Sequence, residues 1–335
     1  MRTVFIIPPV RVPVGGVNVI LKFCNILRSS GFDAVIATGT RNYEYQYFDE
    51  AHVYYCHSLS KIFGTKYPSS LISFFASWRV SDLRLRDDDI IIVPEYIFPE
   101  ASAQLPGFKK VLLVQDVFGV ARAFLRGNKN ADEIHDDYCA IIATSEASEQ
   151  AVREFLNVQP LRINLSVGAP DSSVIASKKK VILYSLRKRA QEGSLIVNLL
   201  KKKPELSDWR FIEINKMSPS QLQRAYTESS IFLSFSYQEG FGLPPAEALL
   251  NRCLVVGYTG VGGNEFFDAP AAFPIPDGDI VKFVETVVRV ACSADNDTDY
   301  LADMGERGRK FIEARYSDKK MKGDVLDIWR TKLST

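Results

Sequence analysis

The amino-acid sequence predicts an α/β protein made of two doubly wound domains. At 335 residues the chain is longer than a single typical hydrophobic core needs. Short apolar runs rich in β-branched residues alternate with segments of helical periodicity, as in a parallel sheet that helices cover on both faces. The second half of the chain repeats this plan. Two Rossmann-like domains are therefore expected.

The strands are expected where the apolar runs fall. In the first half these are 4–7, 34–37, 90–93, 111–114 and 140–143, and in the second half 181–184, 211–214, 231–236 and 254–257. Helices of the second half are expected to start near Gly193, Pro219, Pro244 and Asp279.

A boundary between the domains is predicted at the small, polar segment 167–177, which has the composition of a linker. The first domain then covers 1–170 and the second covers 178–315. Residues 316–335 keep apolar side chains at helical spacing. We expect them to form a last helix that packs back on the N-terminal domain.

Composition excludes several classes of function. The 41 basic and 40 acidic residues give a formal charge of +1, which disfavours nucleic acid as a partner. The five cysteines are far apart and form no C-x-x-C pair, which favours reduced thiols over a disulfide framework or a zinc site. His52, His57 and His135 lack acidic or cysteine neighbours at metal spacing, so no metal is expected.

The sequence also indicates a location. Its first residues, MRTVFIIPPVRVP, match neither a signal peptide nor a membrane span. No other run is long enough to cross a bilayer. A cytoplasmic protein is expected, and any membrane association should be peripheral, at the inner face.

The most informative stretch is SYQEGFGLPPAEAL at 236–249. Ser218, Pro219 and Gln221 predict a capped helix that runs to about Glu228, so 231–236 is the next buried strand. The segment 239–242 is then the loop at the carboxyl end of that strand, where open α/β sheets bind ligands. The two prolines after it suit the entrance of a helix.

The residues of this loop suit two kinds of ligand group, a phosphate and sugar hydroxyls. The backbone N–H groups of Phe241, Gly242 and Leu243 lie beside a helix N-terminus and suit a phosphate. Glu239 and Glu247 would repel a bare phosphate, but an ionised carboxylate accepts hydrogen bonds from pairs of sugar hydroxyls. The alternative for either glutamate alone is structural: Glu247 complements a helix dipole and Glu239 is a solvated loop residue.

The segment 218–263 closely resembles the C-terminal domain of retaining glycosyltransferases of the GT-B fold, family 4 type, in which two such domains face each other across a cleft. Their hallmark is a glutamate pair separated by seven residues, which Glu239 and Glu247 match. The resemblance implies that Glu239 and the backbone of Phe241, Gly242 and Leu243 hold the donor sugar. It implies that Glu247 holds the ribose. It also implies that the domain 1–170 faces the acceptor and that the domain 178–315 binds the nucleotide sugar.

The family also places an arginine and a lysine after the first strand of the second domain, facing the diphosphate. Arg187 matches the arginine, whereas Glu192 occupies the lysine position. A diphosphate that gains charge as the sugar leaves needs cations, so either Lys188 or Arg189 is expected to substitute. The alternative is that these are solvated surface charges.

The same resemblance implies roles for two segments of the N-terminal domain. Gly15 and Gly16 lie at the turn after the first strand, a loop that faces the donor in the family; as a bare glycine pair they are weak evidence. Many relatives have a histidine after the strand 111–114, where this chain has Gln115 and Asp116. Gln115 is expected to hydrogen-bond a sugar hydroxyl and Asp116 to orient the acceptor. A merely polar strand end is the equal alternative.

Other patterns point away from alternative activities. The run Asp87-Asp88-Asp89 precedes a strand instead of following one, so we interpret it as a loop or helix end. The glycine-rich segment 260–265 lacks the spacing of a dinucleotide motif. The aromatic-rich region 43–78 is compatible with either an acceptor site or a packed insertion.

The sequence thus predicts a retaining, metal-independent glycosyltransferase that needs no cofactor, with Glu239 and Arg187 in catalytic roles. It would move a hexose from a nucleotide diphosphate sugar to a glycan or lipid-linked glycan in surface polysaccharide synthesis. The alternative is a non-catalytic GT-B subunit that binds glycan or stabilises an active partner, because the family lysine and histidine are missing.

Overall fold

A computed structural model gives the fold of the chain. It describes residues 1–10, 14–41, 43, 52–63, 82–127, 131–168 and 177–333. Most of the predicted linker and of the aromatic-rich region 43–78 lie outside the described residues. The chain divides into two compact units, Met1–Ile163 with Lys322–Thr335, and Asn164–Met321. The ligand-binding roles assigned above to two domains stay predictions.

The first unit contains a seven-stranded parallel sheet in the order β3-β2-β1-β4-β5-β6-β7. Its strands are β1 Thr3–Ile6, β2 Ala34–Thr38, β3 Val53–Tyr55, β4 Ile90–Pro94, β5 Lys109–Val114, β6 Ala140–Ala143 and β7 Leu161–Arg162. Its helices are α1 Gly15–Ser29, α2 Phe98–Gln104, α3 Val117–Gly127, α4 Ala131–Asp137 and α5 Glu146–Leu156. The central strands are buried throughout because helices cover the sheet.

The second unit contains a five-stranded parallel sheet in the order β12-β11-β10-β8-β9. Its strands are β8 Lys179–Tyr184, β9 Arg210–Glu213, β10 Ser229–Phe235, β11 Leu254–Tyr258 and β12 Ala272–Pro274. The remaining helices of the chain are α6 Ala190–Leu200, α7 Pro219–Glu228, α8 Leu243–Leu250, α9 Ile280–Asn296, α10 Thr298–Arg315 and α11 Asp318–Ile328.

The predicted fold class is confirmed, and so are the nine predicted strands, with ends shifted by two residues at most. The capping box that starts α7 is present, since the Ser218 hydroxyl accepts from Gln221 N–H and the Gln221 side chain accepts from Ser218 N–H. The sequence analysis missed β3, β7 and β12. All three are edge strands of two or three residues, too short to form an apolar run.

The C-terminal segment contributes to the core of the first unit. A π-helical turn, Trp329–Leu333, follows α11. The Trp329 ring is fully buried and stacks on Phe5 of β1 with centroids 6.1 Å apart, and its indole N–H donates to Thr3 Oγ1 at 3.1 Å. Burial of a ring of this size stabilises a domain by about 2–3 kcal/mol.

The three consecutive aspartates form the turn before β4, as interpreted above. The Asp89 carboxylate is buried and pairs with Arg2, which donates to its two oxygens at 3.1 and 2.7 Å. This ion pair ties the start of β4 to the start of β1.

Each sheet has one point where the strand order reverses. In the first unit it lies between β1 and β4, and in the second between β8 and β10. Ligands of open α/β sheets bind outside the carboxyl ends of the strands at such points. None of the helices in the described ranges has the length and apolar character that a membrane crossing needs.

Candidate nucleotide-sugar site

A solvent-open cavity of about 340 Å³ lies at the reversal point of the second unit. The loops after β8 and β10 form its walls. Its lining includes Ser185, Arg187, Lys188, Glu239, Pro244 and Pro245. The structure therefore brings together the two segments that the sequence analysis singled out in this half of the chain.

Glu239 is held in place by the segment after β11. Its N–H donates to Gly260 O at 2.9 Å, and its carbonyl oxygen accepts from Gly262 N–H at 3.0 Å. A Cβ on Gly262 would stand 2.3 Å from that same carbonyl oxygen, closer than real Cβ atoms come, so only glycine fits. The glycine-rich segment 260–265, which lacks the spacing of a dinucleotide motif, thus supports the Glu239 loop.

The start of α8 limits which backbone groups can bind an anion. Gly242 is the N-cap residue with φ of 85°, a left-handed conformation that favours glycine. Pro244 and Pro245 follow in the first turn and have no N–H to offer. Within the described part of the chain, the N–H groups of Phe241 and Gly242 donate to no other residue. The N–H of Leu243, the first residue of α8, likewise has no acceptor among the described residues. These donors lie in the same loop and helix start as Glu239, Pro244 and Pro245, which line the cavity.

An aromatic cluster lies behind this loop. The buried Phe241 ring packs edge-on against Phe266 and Tyr316, with centroids 4.7 and 5.6 Å away. The Tyr316 hydroxyl donates to the buried Glu265 carboxylate at 2.8 Å. The Phe241 side chain therefore packs behind the loop, and only its backbone could contribute to a site in front of it.

Glu247 lies one turn into α8 and is half-buried. The buried Tyr226 of α7 donates its hydroxyl hydrogen bond to the Glu247 side chain. Burial raises the pKa of Tyr226 well above its usual value, and the Glu247 charge and hydrogen bond raise it further. Tyr226 therefore stays protonated and orients the second carboxylate.

Lys188 and Arg187 place two cations in the loop after β8, which lines the cavity. Lys188 Nζ lies 3.3 Å from Glu239 Oε1 and donates to the carbonyl oxygens of Tyr237 and Gln238 at 3.2 and 3.3 Å. Arg187 is exposed and, among the described residues, has no hydrogen-bond or ion-pair partner.

Arg189 has different surroundings. Its guanidinium lies between the rings of Tyr237 and Tyr258, 4.7 Å from each centroid, and pairs with Glu192 at 2.8 Å and with Asp277. The Tyr258 hydroxyl donates to Glu192 at 2.6 Å. Glu192, which stands at the family's lysine position, is therefore one part of a compact ion-pair cluster, and the charge of Arg189 is already balanced.

The N-terminal candidates meet at the reversal point of the first unit. Gly15 and Gly16 begin α1, and a Cβ added to Gly16 would stand 3.5 Å from Gln115 Oε1. Asp116 follows Gln115 after β5, accepts from Phe118 N–H at 3.0 Å and lies 3.7 Å from Arg122. The structure thus brings Gly16 and Gln115 together.

Sequence reasoning missed Glu95, the residue after β4. Its side chain is only 4% exposed, and its Oε2 accepts from Gln115 N–H at 3.2 Å. Burial raises the pKa of Glu95 to about 8, because hydrogen bonds from backbone N–H groups offset only part of the desolvation and the charge of Asp116 adds to it. A glutamate in the stretch VPEYIF carries no sign that it is buried, although its place directly after a buried strand could have marked it.

Among the described residues, no three His, Cys, Asp or Glu side chains are grouped as metal ligands would be.

The chain was compared with known proteins by sequence and by structure. No family model matches the chain. An alpha-1,6-glucosyltransferase from Actinobacillus pleuropneumoniae serotype 7 (strain AP76) is 24% identical over 264 residues, which are 74% of this chain and 76% of that protein.

Three solved structures share the fold. Sucrose-phosphate synthase from Thermosynechococcus elongatus has a TM-score of 0.67 at 13% identity and covers all of both chains. WaaG, a glycosyltransferase involved in lipopolysaccharide biosynthesis, has a TM-score of 0.59 at 10% identity over 99% of this chain and 100% of its own. S. aureus TarM, crystallised with fondaparinux, alpha-GlcNAc-glycerol and UDP, has a TM-score of 0.55 at 17% identity over 74% and 56%.

The chain therefore has the GT-B fold, with a parallel sheet in each of two Rossmann-like domains. The similarities in sequence and structure together support a glycosyltransferase of the GT-B type.

Proposed function

We propose that the protein is a retaining glycosyltransferase that moves a hexose from a nucleotide diphosphate sugar to a glycan or lipid-linked glycan. The observation that carries this proposal is the cavity at the carboxyl ends of β8 and β10. The carboxylates of Glu239 and Glu247 lie at the two ends of the segment that contains the loop after β10 and the first turn of α8. The cations Arg187 and Lys188 follow the neighbouring strand β8.

The donor is held along this loop. Free N–H groups of Phe241 and Gly242 and the N-terminus of α8, which begins with Leu243, favour the diphosphate. Glu239 accepts hydrogen bonds from hydroxyls of the sugar, and Glu247, held by Tyr226, accepts those of the ribose.

Arg187 and Lys188 compensate the charge of the leaving diphosphate. Lys188 lines the cavity and already touches Glu239, and Arg187 is uncommitted among the described residues. Arg189 has two carboxylate partners and two stacked rings, so it supports the loop and contributes little charge to the donor. Of the two substitutes for the family lysine, Lys188 is therefore favoured.

The reaction we propose is a front-side displacement. The bond between the sugar C1 and the diphosphate oxygen breaks, and the acceptor oxygen forms its bond to C1 on the same face. The acceptor proton passes to the leaving phosphate oxygen, so the configuration at C1 is retained and no side chain need act as base. The protein positions both substrates and stabilises the charge that develops.

The substrate classes follow from the relatives. The alpha-1,6-glucosyltransferase favours glucose as the transferred hexose, and the UDP in the TarM structure favours a uridine diphosphate donor. WaaG is involved in lipopolysaccharide biosynthesis, which supports surface polysaccharide synthesis as the process. A lipid-linked acceptor would bring the protein to the inner face of the membrane as a peripheral, cytoplasmic enzyme. No metal or cofactor takes part in the proposed step.

A non-catalytic subunit is the second candidate, and the observation that favours it is Glu192 at the lysine position. Such a subunit would bind a nucleotide sugar weakly or not at all.

Thermal unfolding tests the donor site. The purified protein is heated with UDP, GDP, dTDP, ADP or CMP and with their sugar conjugates. A ligand at about 100 times its Kd adds about 2.7 kcal/mol, which shifts Tm by roughly 5–10 °C for domains of this size. We expect a shift with UDP and UDP-glucose that is lost in Glu247→Ala and kept in Glu205→Ala, a change at an exposed surface residue. The absence of a shift with every nucleotide would contradict the proposal.

A further inference from the structure

The reversal point of the first unit carries a buried carboxyl that the proposed reaction does not use. Glu95 follows β4, and Gly15 and Gly16 follow the strand next to it in the sheet, β1. Polar groups at such a point are ligand-binding candidates by position. A carboxyl that is 4% exposed does not itself reach a sugar, so its effect must pass through a neighbour.

That neighbour is Gln115. Glu95 Oε2 accepts the hydrogen bond of Gln115 N–H at 3.2 Å, which fixes the first residue after β5. The Gln115 side chain then lies against Gly16, where an added Cβ would be 3.5 and 3.6 Å from its amide oxygen and nitrogen. The chain of contacts therefore runs from Glu95 through Gln115 to the glycine turn of α1.

The fold makes room for this carboxyl. A Cβ on Gly119 of α3 would stand 2.9 Å from Glu95 Oε1 and 3.0 Å from its Cγ, so a larger residue there would push the carboxyl away. The buried pocket for Glu95 thus depends on a glycine in the helix that follows Gln115 and Asp116.

We propose that Glu95 is a positioning residue of the first unit: its buried carboxyl holds the loop after β5 so that Gln115 lies against the glycine turn that begins α1. This inference rests on the proposed function for its catalytic consequence, but the positioning itself does not depend on it.

The charge state of Glu95 follows from its surroundings. Ionisable groups on the elements packed around it are Tyr96 beside it, Asp116 after β5, Arg122 and Arg126 on α3, and Glu100 on α2. Arg122 lies 3.7 Å from Asp116, and Arg126 pairs with Glu100 at 3.0 Å. With its pKa raised to about 8, Glu95 is neutral at pH 7. Ionisation above that pH would place a second negative charge beside Asp116 and disturb the loop.

Two measurements test the proposal on the full chain, with Glu95→Ala, Glu95→Gln and the control Glu100→Gln, which removes a surface carboxylate from the adjacent helix. The first is hydrogen exchange of the peptide that contains Gln115. Glutamine can still accept the Gln115 N–H, so Glu95→Gln and the control should exchange like the wild type at pH 7. Glu95→Ala should exchange at least about tenfold faster at this peptide.

The second measurement is UDP release from UDP-glucose as a function of pH. Because a misplaced positioning group can lower rates by about 10²-fold, Glu95→Ala should lose 10- to 100-fold in kcat with less than about a threefold change in KM. The wild type should lose kcat as the pH rises through about 8, and Glu95→Gln should not. Unchanged exchange in Glu95→Ala, or the same alkaline loss in Glu95→Gln, would overturn the proposal. If the wild type releases nucleotide from none of the nucleotide sugars tested, the proposed function fails while the exchange measurement still decides the positioning role.

Discussion

The ammonium group of Lys188 lies 3.3 Å from Oε1 of Glu239, so a cation that follows β8 and a carboxylate that follows β10 meet where the strand order of the second sheet reverses. The pair is partly exposed, so its direct contribution to stability is small, within about 1 kcal/mol. Its position at the cavity matters more, since a bound diphosphate would draw Lys188 toward itself and leave Glu239 for the sugar.

Replacement of Lys188 by alanine should therefore reduce turnover without unfolding the protein. We expect kcat for UDP-glucose to fall about 10²-fold, the usual loss when one group that stabilises transition-state charge is removed. Steady-state UDP release measures this. Lys202→Ala, a change at an exposed lysine after α6, is the matched control and should be silent. An equal effect of both variants would show that Lys188 has no special role.

The ion-pair cluster around Arg189 predicts that replacing Glu192 by the lysine of the resembling family lowers the stability of the protein. In Glu192→Lys the Tyr258 hydroxyl loses its acceptor and Arg189 gains a like-charged neighbour. We expect a loss of about 1–2 kcal/mol in the free energy of unfolding, measured by urea titration. Undiminished stability of Glu192→Lys would contradict the structural role of this cluster.

The support under Glu239 predicts a backbone effect. In Gly262→Ala the new methyl group would stand 2.3 Å from Glu239 O, so the loop must move. Because about 1 Å of misplacement can cost 10²-fold, kcat/KM for UDP-glucose should fall at least about tenfold. Gly323→Ala, which adds a methyl group in open space on α11, should leave kcat/KM unchanged. Wild-type kcat/KM in Gly262→Ala would contradict this role of the glycine-rich segment.

Glu95 predicts how stability depends on pH. Burial raises the pKa of Glu95 from its ordinary value of 4.5 to about 8 in the folded protein, so the folded state keeps a proton that the unfolded state has lost. Stability should therefore fall as the pH rises from about 4.5 to 8, by up to about 1.4 kcal/mol per pH unit, and level off above.

Urea unfolding of the wild type and Glu95→Gln at pH 5, 6.5 and 8 measures this contribution. As the pH rises, the unfolding free energy of Glu95→Gln should increase relative to that of the wild type. A constant difference across this range would show that Glu95 is ionised in both states.

The sequence predicted the parts of the fold that local pattern determines. Buried parallel strands such as β4 and β10 are continuous apolar runs, and α7 carries a complete capping box. The edge strands β3, β7 and β12 escaped prediction because two or three residues are too few to show a pattern.

The site was predictable where it is contiguous in sequence. The loop from Glu239 to Leu243 contains two glycines and is followed by two prolines, which predict a turn and the start of a helix. Partners distant in sequence could not be found in this way. Arg189 meets Asp277 88 positions later, and Gln115 meets Glu95 20 positions earlier. Such pairs arise from the order of strands in the sheet, which single-sequence patterns do not contain.

The most direct test of the nucleotide-sugar site compares turnover of UDP-glucose by the wild type and Glu239→Gln, with Glu205→Gln as a surface control. The variant keeps the size of the side chain and removes the charge that accepts sugar hydroxyls. We predict that UDP release falls about 10²- to 10³-fold in Glu239→Gln, with the same Tm as the wild type and no loss in the control. Equal UDP release by Glu239→Gln and the wild type would contradict the assignment of this cavity as the site of glycosyl transfer.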